Sequence, residues 1–180
     1  MKNLSVLVLF IAACSTGYDP GSPERAGDSP SANARVQESI DAFLRADPGM
    51  KRFFDDSYGY AVFWKVGKGG LIVGGAHGDG LVYEQGKAVG RTELTQATIG
   101  AQLGGQTYKE VIFFRDKGAL DRFKSGKFET SAQASAVIAA DGASADADYR
   151  DGVAIFTVGN EGAMVEASVG GQQFSFEALN

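Results

Sequence analysis

The sequence has one cysteine and one histidine in 180 residues. A lone Cys excludes an internal disulfide framework and any Cys-cluster metal site. A lone His excludes a zinc site built on two or three His, and any HExxH helix. Proline is scarce, with three of its four copies at Pro20, Pro23 and Pro30. No apolar run reaches the roughly 20 residues that a spanning helix needs. The formal net charge of −5 lacks the overall basic footprint of a nucleic-acid binder. A hydrophobic content of 44% excludes wholesale disorder. What the chain has in excess is glycine, 25 residues in all, about twice the usual share.

The N-terminus reads as a targeting segment. Lys2 is followed by a short, mostly apolar stretch, Leu4 to Ala13, of the length of a signal-peptide core. Ile11-Ala12-Ala13-Cys14 then resembles the lipobox of bacterial lipoproteins, in which the cysteine is lipidated and becomes the new N-terminus. An ordinary secretory signal with Cys14 as a bystander is the alternative. Acyl chains such as palmitate bind membrane at about 0.8 kcal/mol per buried CH₂, so several together anchor a protein stably. Ser15 follows, where Asp would resemble an inner-membrane retention signal. The expected location is a bacterial cell envelope, lipid-anchored, at the outer membrane or periplasmic face rather than the inner membrane. The expected organisation is a signal peptide over 1–13, a lipidated Cys14 with a flexible tether over 14–33, and a single domain over 34–180. The tether is rich in Ser, Gly, Pro and Asp and cannot bury enough apolar surface to offset ordering.

Within the domain, Val36, Ile40, Phe43 and Leu44 form one stripe of an amphipathic helix. Asp47-Pro48 reads as an N-cap with Pro at the first helical position, and Met50, Phe53 and Phe54 give a short second helix its apolar face. Both stripes suit packing on a core. A membrane-lying helix with Arg45, Lys51 and Arg52 at its border is the sharper reading, weakened by five nearby acids from Glu38 to Asp56. From Tyr58 onward, short β-prone runs are cut by glycines. Strands are expected at 59–65, 70–76, 80–85, 93–103, 107–115, 128–138, 152–158, 162–169 and 172–178. One helix interrupts them, capped by Asp116, with Leu120 and Phe123 on one face and Gly126 just past its end. The expected fold is α+β: N-terminal amphipathic helices and one later helix on a strongly curved, mainly antiparallel, Gly-rich sheet or barrel. Residues 59–84 and 152–177 also align without a gap, with identities such as Ala61/Ala154 and Phe63/Phe156. That echo reads as either a repeated strand unit or shared composition.

The familiar catalytic motifs are absent. Gly67-Lys68-Gly69-Gly70 suggests a phosphate loop, but Val62 stands where a Gly is required and Gly69 where Ser or Thr is required. There is no GxGxxG and no GxSxG elbow. His77 lies in Gly75-Ala76-His77-Gly78-Asp79-Gly80 and reads as a turn residue. Asp141, Asp146, Asp148 and Asp151 lack the regular spacing of a calcium loop and read as a solvated acidic loop. Nothing selects a carboxylate pair for hydrolysis. No cofactor, metal, small-molecule substrate or nucleic acid is expected.

Charge is unevenly placed. Residues 58–128 hold ten Lys/Arg against six Asp/Glu, and residues 129–180 hold one against eight. A basic middle in an acidic protein can meet anionic headgroups locally. Lys65 and Lys68 flank an expected turn beside an exposed-looking Trp64, and Lys117, Arg122, Lys124 and Lys127 cluster on and after the later helix. For either group a solvated face is the plain alternative.

The glycine pattern resembles that of a known family. Gly59-Tyr60-Ala61-Val62-Phe63, Val66-Gly67-Lys68-Gly69-Gly70, Gly74-Gly75-Ala76 and Gly80-x-Val82-Tyr83 look like the core of the SYLF domain. The runs 96–106, 110–114, 132–136 and 166–172 continue the match over about residues 34–179. The resemblance implies a non-enzymatic lipid-binding domain. Eukaryotic members bind phosphoinositides and a fungal branch binds actin, whereas this chain is similar to the bacterial lipoprotein branch. Trp64 stands where the family often has Pro, and Arg45, Lys51 and Arg52 only thinly echo the basic helical element of eukaryotic members. The expected function is a membrane-anchored, exported lipoprotein whose domain binds lipid headgroups through Lys65, Lys68, Lys51, Arg52 and Trp64. The alternative is a structural or adhesive envelope protein that binds another protein through its sheet surface.

Overall fold

The structure is a computed structural model that describes residues 30–70, 73–99, 106–126, 128, 137–159 and 171–179. Helix α1 spans Pro30–Ala46 and α2 spans Lys51–Asp56, joined by a 3-10 turn at Pro48–Met50. Strands β1 (Gly59–Gly70), β2 (Val73–Glu84), β3 (Lys87–Ile99) and β4 (Gln106–Phe114) follow. Then come α3 (Lys117–Lys124), the two-residue β5 (Val137–Ile138), a 3-10 turn at Ala143–Asp146, β6 (Val153–Gly159) and β7 (Gln172–Ala178). Cys14 and the expected strand at 162–169 lie outside the described residues, as does most of 128–138.

The caps read from sequence are in place. Asp47 Oδ1 accepts the Gly49 N–H at 2.9 Å, and Asp116 Oδ1 accepts the Ala119 N–H at 2.9 Å. Each satisfies a backbone donor that helical geometry leaves without a partner at the start of a helix.

The strands form one sheet in the order β5-β6-β4-β1-β2-β3-β7. Its six longer strands pair antiparallel, and β5 adds to β6 in parallel at one edge. The closure into a barrel expected from the glycines is not found. The sheet is open, with β5 and β7 as its unjoined edges among the described residues. The physical reason is that helices cover both faces. A sheet must bury its apolar faces against another layer or against itself, and here helices supply that layer.

On one face, Val36 and Phe43 of α1, Met50 and Phe53 pack with Val62, Trp64, Val111, Phe113 and Phe156. On the other, Ala119, Leu120 and Phe123 of α3 pack with Ala61, Phe63, Val66, Ile112, Phe114 and Phe174. The apolar stripes of α1 and α2 are therefore spent on the core. The membrane-lying helix is overturned, because Phe43 and Met50 have no exposed surface.

A bulge in β1 shifts the register between Phe63 and Lys65. Phe63 joins the α3 side, Trp64 the α1 side, and Val66 the α3 side again. One extra residue reverses the alternation for the rest of the strand.

The glycine-rich stretch around His77 is strand, not turn. The two strands expected at 70–76 and 80–85 are one continuous β2. Gly78 pairs with Val66 and Leu94, and Gly80 with Phe63 and Thr92. A Cβ on Gly80 would lie 2.7 Å from the Val62 carbonyl oxygen and 2.9 Å from Phe63 Cδ1. Their bare backbone leaves space over β2, where the rings of Phe63 and Phe174 meet with centroids 5.7 Å apart. The real turn is Gln85-Gly86, with φ of 48° and 77°, the two positive values that a tight hairpin takes.

The internal echo does not survive as a strand repeat. Phe63 and Phe156, and likewise Ala61 and Ala154, fall in opposite clusters. β1 and β6 both run antiparallel to β4, so a true repeat would keep these residues on one face.

Candidate functional site

The basic residues singled out from sequence do not form one site. Lys65 is exposed, whereas Lys68 is buried at 9% exposure. With β1 alternating beyond its bulge, Lys68 shares the α3 side with Val66, opposite Lys65 and Gly67. No turn lies between them, since both lie inside β1. Trp64 is not exposed either: at 8% it packs in the α1-side cluster.

The α2 pair is structurally engaged. Lys51 Nζ donates to Asp55 Oδ2 at 2.6 Å. Arg52 donates to the Ser144 carbonyl and, at 3.2 Å, to that of Ala147, closing the end of the 143–146 turn. The later helix is similar. Lys117 pairs with Asp121 at 2.7 Å, Lys124 with Glu84 at 2.5 Å, and Arg122 donates to the Asp151 carbonyl at 2.8 Å. Lys127 lies outside the described residues.

A cleft does gather polar groups from four elements. It has a volume of about 700 Å³ and opens between the first turns of α1 and the sheet. Arg35 and Glu38 come from α1, Trp64 and Lys65 from β1, His77 and Asp79 from β2, and Lys109 from β4. The bulge at Trp64 creates this arrangement, because it turns Lys65 and Gly67 toward the α1 side.

Each charge has a definite place. Lys109 is only 15% exposed and donates to the Trp64 carbonyl at 3.3 Å, while its Nζ lies 3.6 Å from Glu38 Oε1. The Arg35 guanidinium lies 6.0 Å from the Trp64 ring centre, within the range of a cation–π contact. Asp79 is the register partner of Lys65 on the neighbouring strand and lies 3.9 Å from His77 Nε2. Three permanent cations thus face two carboxylates around an indole.

Among the described residues, no three His, Cys, Asp or Glu side chains are placed to hold a metal. The geometry suits reversible binding of a small charged group. Sequence reasoning found Trp64 and Lys65 but missed Arg35, Glu38, His77, Asp79 and Lys109. Reading 75–80 as a turn hid His77 and Asp79. The others lie on separate elements, and only strand order brings them together.

No helix among the described residues is long and apolar enough to cross a membrane. A family model described as Las17-binding protein actin regulator, Ysc84, matches residues 95–178. The chain is also 28% identical over 144 residues to Beta cell expansion factor A of Aeromonas veronii. That alignment covers 79% of this chain and 54% of the relative, so the chain spans about half the relative's length. Order of motifs, family match and relative agree in what the chain is similar to: the Ysc84/SYLF family, whose model covers its C-terminal part.

Proposed function

We propose that this chain is an exported lipoprotein, anchored through Cys14 at a bacterial envelope membrane, whose domain binds phospholipid headgroups without covalent chemistry. The observation that carries the reading is the cleft of Arg35, Trp64, Lys65 and Lys109. It offers cations from three elements beside an aromatic ring, which suits a phosphate at an interface. Similarity to the Ysc84/SYLF family, associated with lipid binding, supports it. The length of chain after Cys14 also supports it. Residues 15–29 extend at most about 50 Å, which keeps α1 and the cleft within reach of an anchored cysteine. The actin regulation named for the family model is not transferred to this chain. A protein-binding role through the sheet surface is less favoured, because buried clusters line both faces.

Flotation of the chain from Ser15 to Asn180 with liposomes tests the lipid reading. Co-flotation with phospholipid vesicles is expected, weakened by Lys65→Glu and by salt. Equal distribution with and without vesicles would remove it. Mass spectrometry of the protein from expressing bacteria tests the anchor, with a diacylated or triacylated Cys14 as the expected N-terminus.

A further inference from the structure

We propose that the cleft selects a zwitterionic headgroup, a phosphate diester carrying a primary ammonium, over purely anionic headgroups and over quaternary ones. This rests on the headgroup reading above and specifies its chemistry.

The argument begins with the sign of the lining. A site for a multiply charged anion surrounds it with cations. Here Glu38 and Asp79 share the cleft with Arg35, Lys65 and Lys109. Both acids are accessible, with side-chain exposures of 71% and 52%. A second negative charge in the ligand would meet these carboxylates and be repelled. A ligand with one phosphate and one ammonium, two carbons apart, matches both signs. Its phosphate would sit with Arg35 and Lys65, which make no carboxylate ion pair within 4.0 Å among the described residues. Its ammonium would face Asp79 and Glu38.

Trp64 separates a primary ammonium from a quaternary one. A quaternary ammonium is held by a cage of aromatic faces. Among the described residues lining the cleft, Trp64 is the only Phe, Tyr or Trp, and Arg35 already lies over its ring at 6.0 Å. A primary ammonium needs carboxylate acceptors instead, and those are present. The register places Asp79 beside Lys65 on adjacent strands, so phosphate and ammonium positions lie side by side.

Trp64 is the only tryptophan in the chain, so its fluorescence reports on this cleft. The chain from Ser15 to Asn180 is titrated with vesicles of phosphatidylcholine alone, phosphatidylcholine with phosphatidylethanolamine, and phosphatidylcholine with phosphatidylglycerol. Soluble glycerophosphoethanolamine forms a fourth arm. One charge-assisted hydrogen bond to the ammonium is expected to tighten binding of the ethanolamine vesicles about tenfold. Asp79→Asn and Glu38→Gln should abolish that preference while keeping the circular dichroism spectrum. Equal or tighter binding of phosphatidylglycerol or phosphatidylcholine vesicles would overturn the zwitterion and leave the headgroup reading standing. Response to glycerophosphoethanolamine without response to any vesicle would uphold the ligand chemistry and overturn the membrane as its source. Silence in all four arms would overturn both.

Discussion

Glu110 on β4 and Gln172 on β7 meet at 3.0 Å, although three strands lie between theirs in the sheet. Gln172 Nε2 donates to Glu110 Oε2, and neither residue has exposed surface. The contact ties an edge strand to the far half of the sheet on the α3 side. Glu110 Oε1 has no hydrogen-bond partner among the described residues, nor does Thr157 Oγ1 on the register partner in β6.

Burial pushes the Glu110 carboxyl up to about 7, with the Gln172 bond pulling the other way. A folded acid with a raised pKa binds a proton that the unfolded chain has already released. Stability is therefore fully present below the unfolded value and falls as pH rises through the folded one. Glu110→Gln keeps the Gln172 contact and never ionises. It should leave stability unchanged near pH 4 and raise it by about 2–3 kcal/mol at pH 8. Urea unfolding at the two pH values checks this, and equal effects at both would contradict it.

Gly80→Ala should destabilise by about 1–3 kcal/mol, the usual cost of overpacking. Its Cβ would be 2.7 Å from the Val62 oxygen and 2.9 Å from Phe63 Cδ1. Gly67→Ala is the control, since nothing lies within 4 Å of its added Cβ. It should stay within about 0.5 kcal/mol of the parent. Thermal melts of the two variants separate glycines needed for space from glycines that are incidental.

Asp47 holds two segments far apart in sequence. Its Oδ1 accepts the Gly49 N–H at 2.9 Å and its Oδ2 the Ser144 N–H at 2.6 Å. Asp47→Ala leaves both donors without that acceptor and should cost about 2 kcal/mol or more. Hydrogen exchange should rise at Gly49 and Ser144 while the sheet amides keep their protection.

Glu84 joins α3 to the hairpin, accepting from Lys124 at 2.5 Å and from the Tyr58 hydroxyl at 2.8 Å. The Lys124 bond, then the Tyr58 bond, holds its carboxyl below the ordinary value. The stabilisation is thus present above the unfolded pKa and lost as pH falls through the folded one. Glu84→Gln should cost about 1 kcal/mol at pH 7, a difference that disappears at pH 2–3.

Much of the fold is legible locally. The stripe Val36, Ile40, Phe43 and Leu44 and the caps Asp47 and Asp116 depend on spacing and on the first unpaired N–H groups. Glycine misled where its cause was not local. Gly78 and Gly80 look like turn residues, yet their reason lies in Val62, Phe63 and Val66 on the neighbouring strand. Trp64 looks exposed in its Gly-rich context, and only its packing in the α1-side cluster, beside residues of distant elements, explains its burial.

By itself the sequence determined the class of elements, most of their order and the scarcity of reactive groups. These follow from composition, periodicity and capping, which act between residues close along the chain. The tertiary structure decided that the sheet stays open between two helical layers. It also parted Lys65 from Lys68 and gathered Arg35, Trp64, Lys65, Asp79 and Lys109 into one cleft. Those outcomes depend on strand order and register, because an inserted residue or a paired strand sets which face each side chain meets.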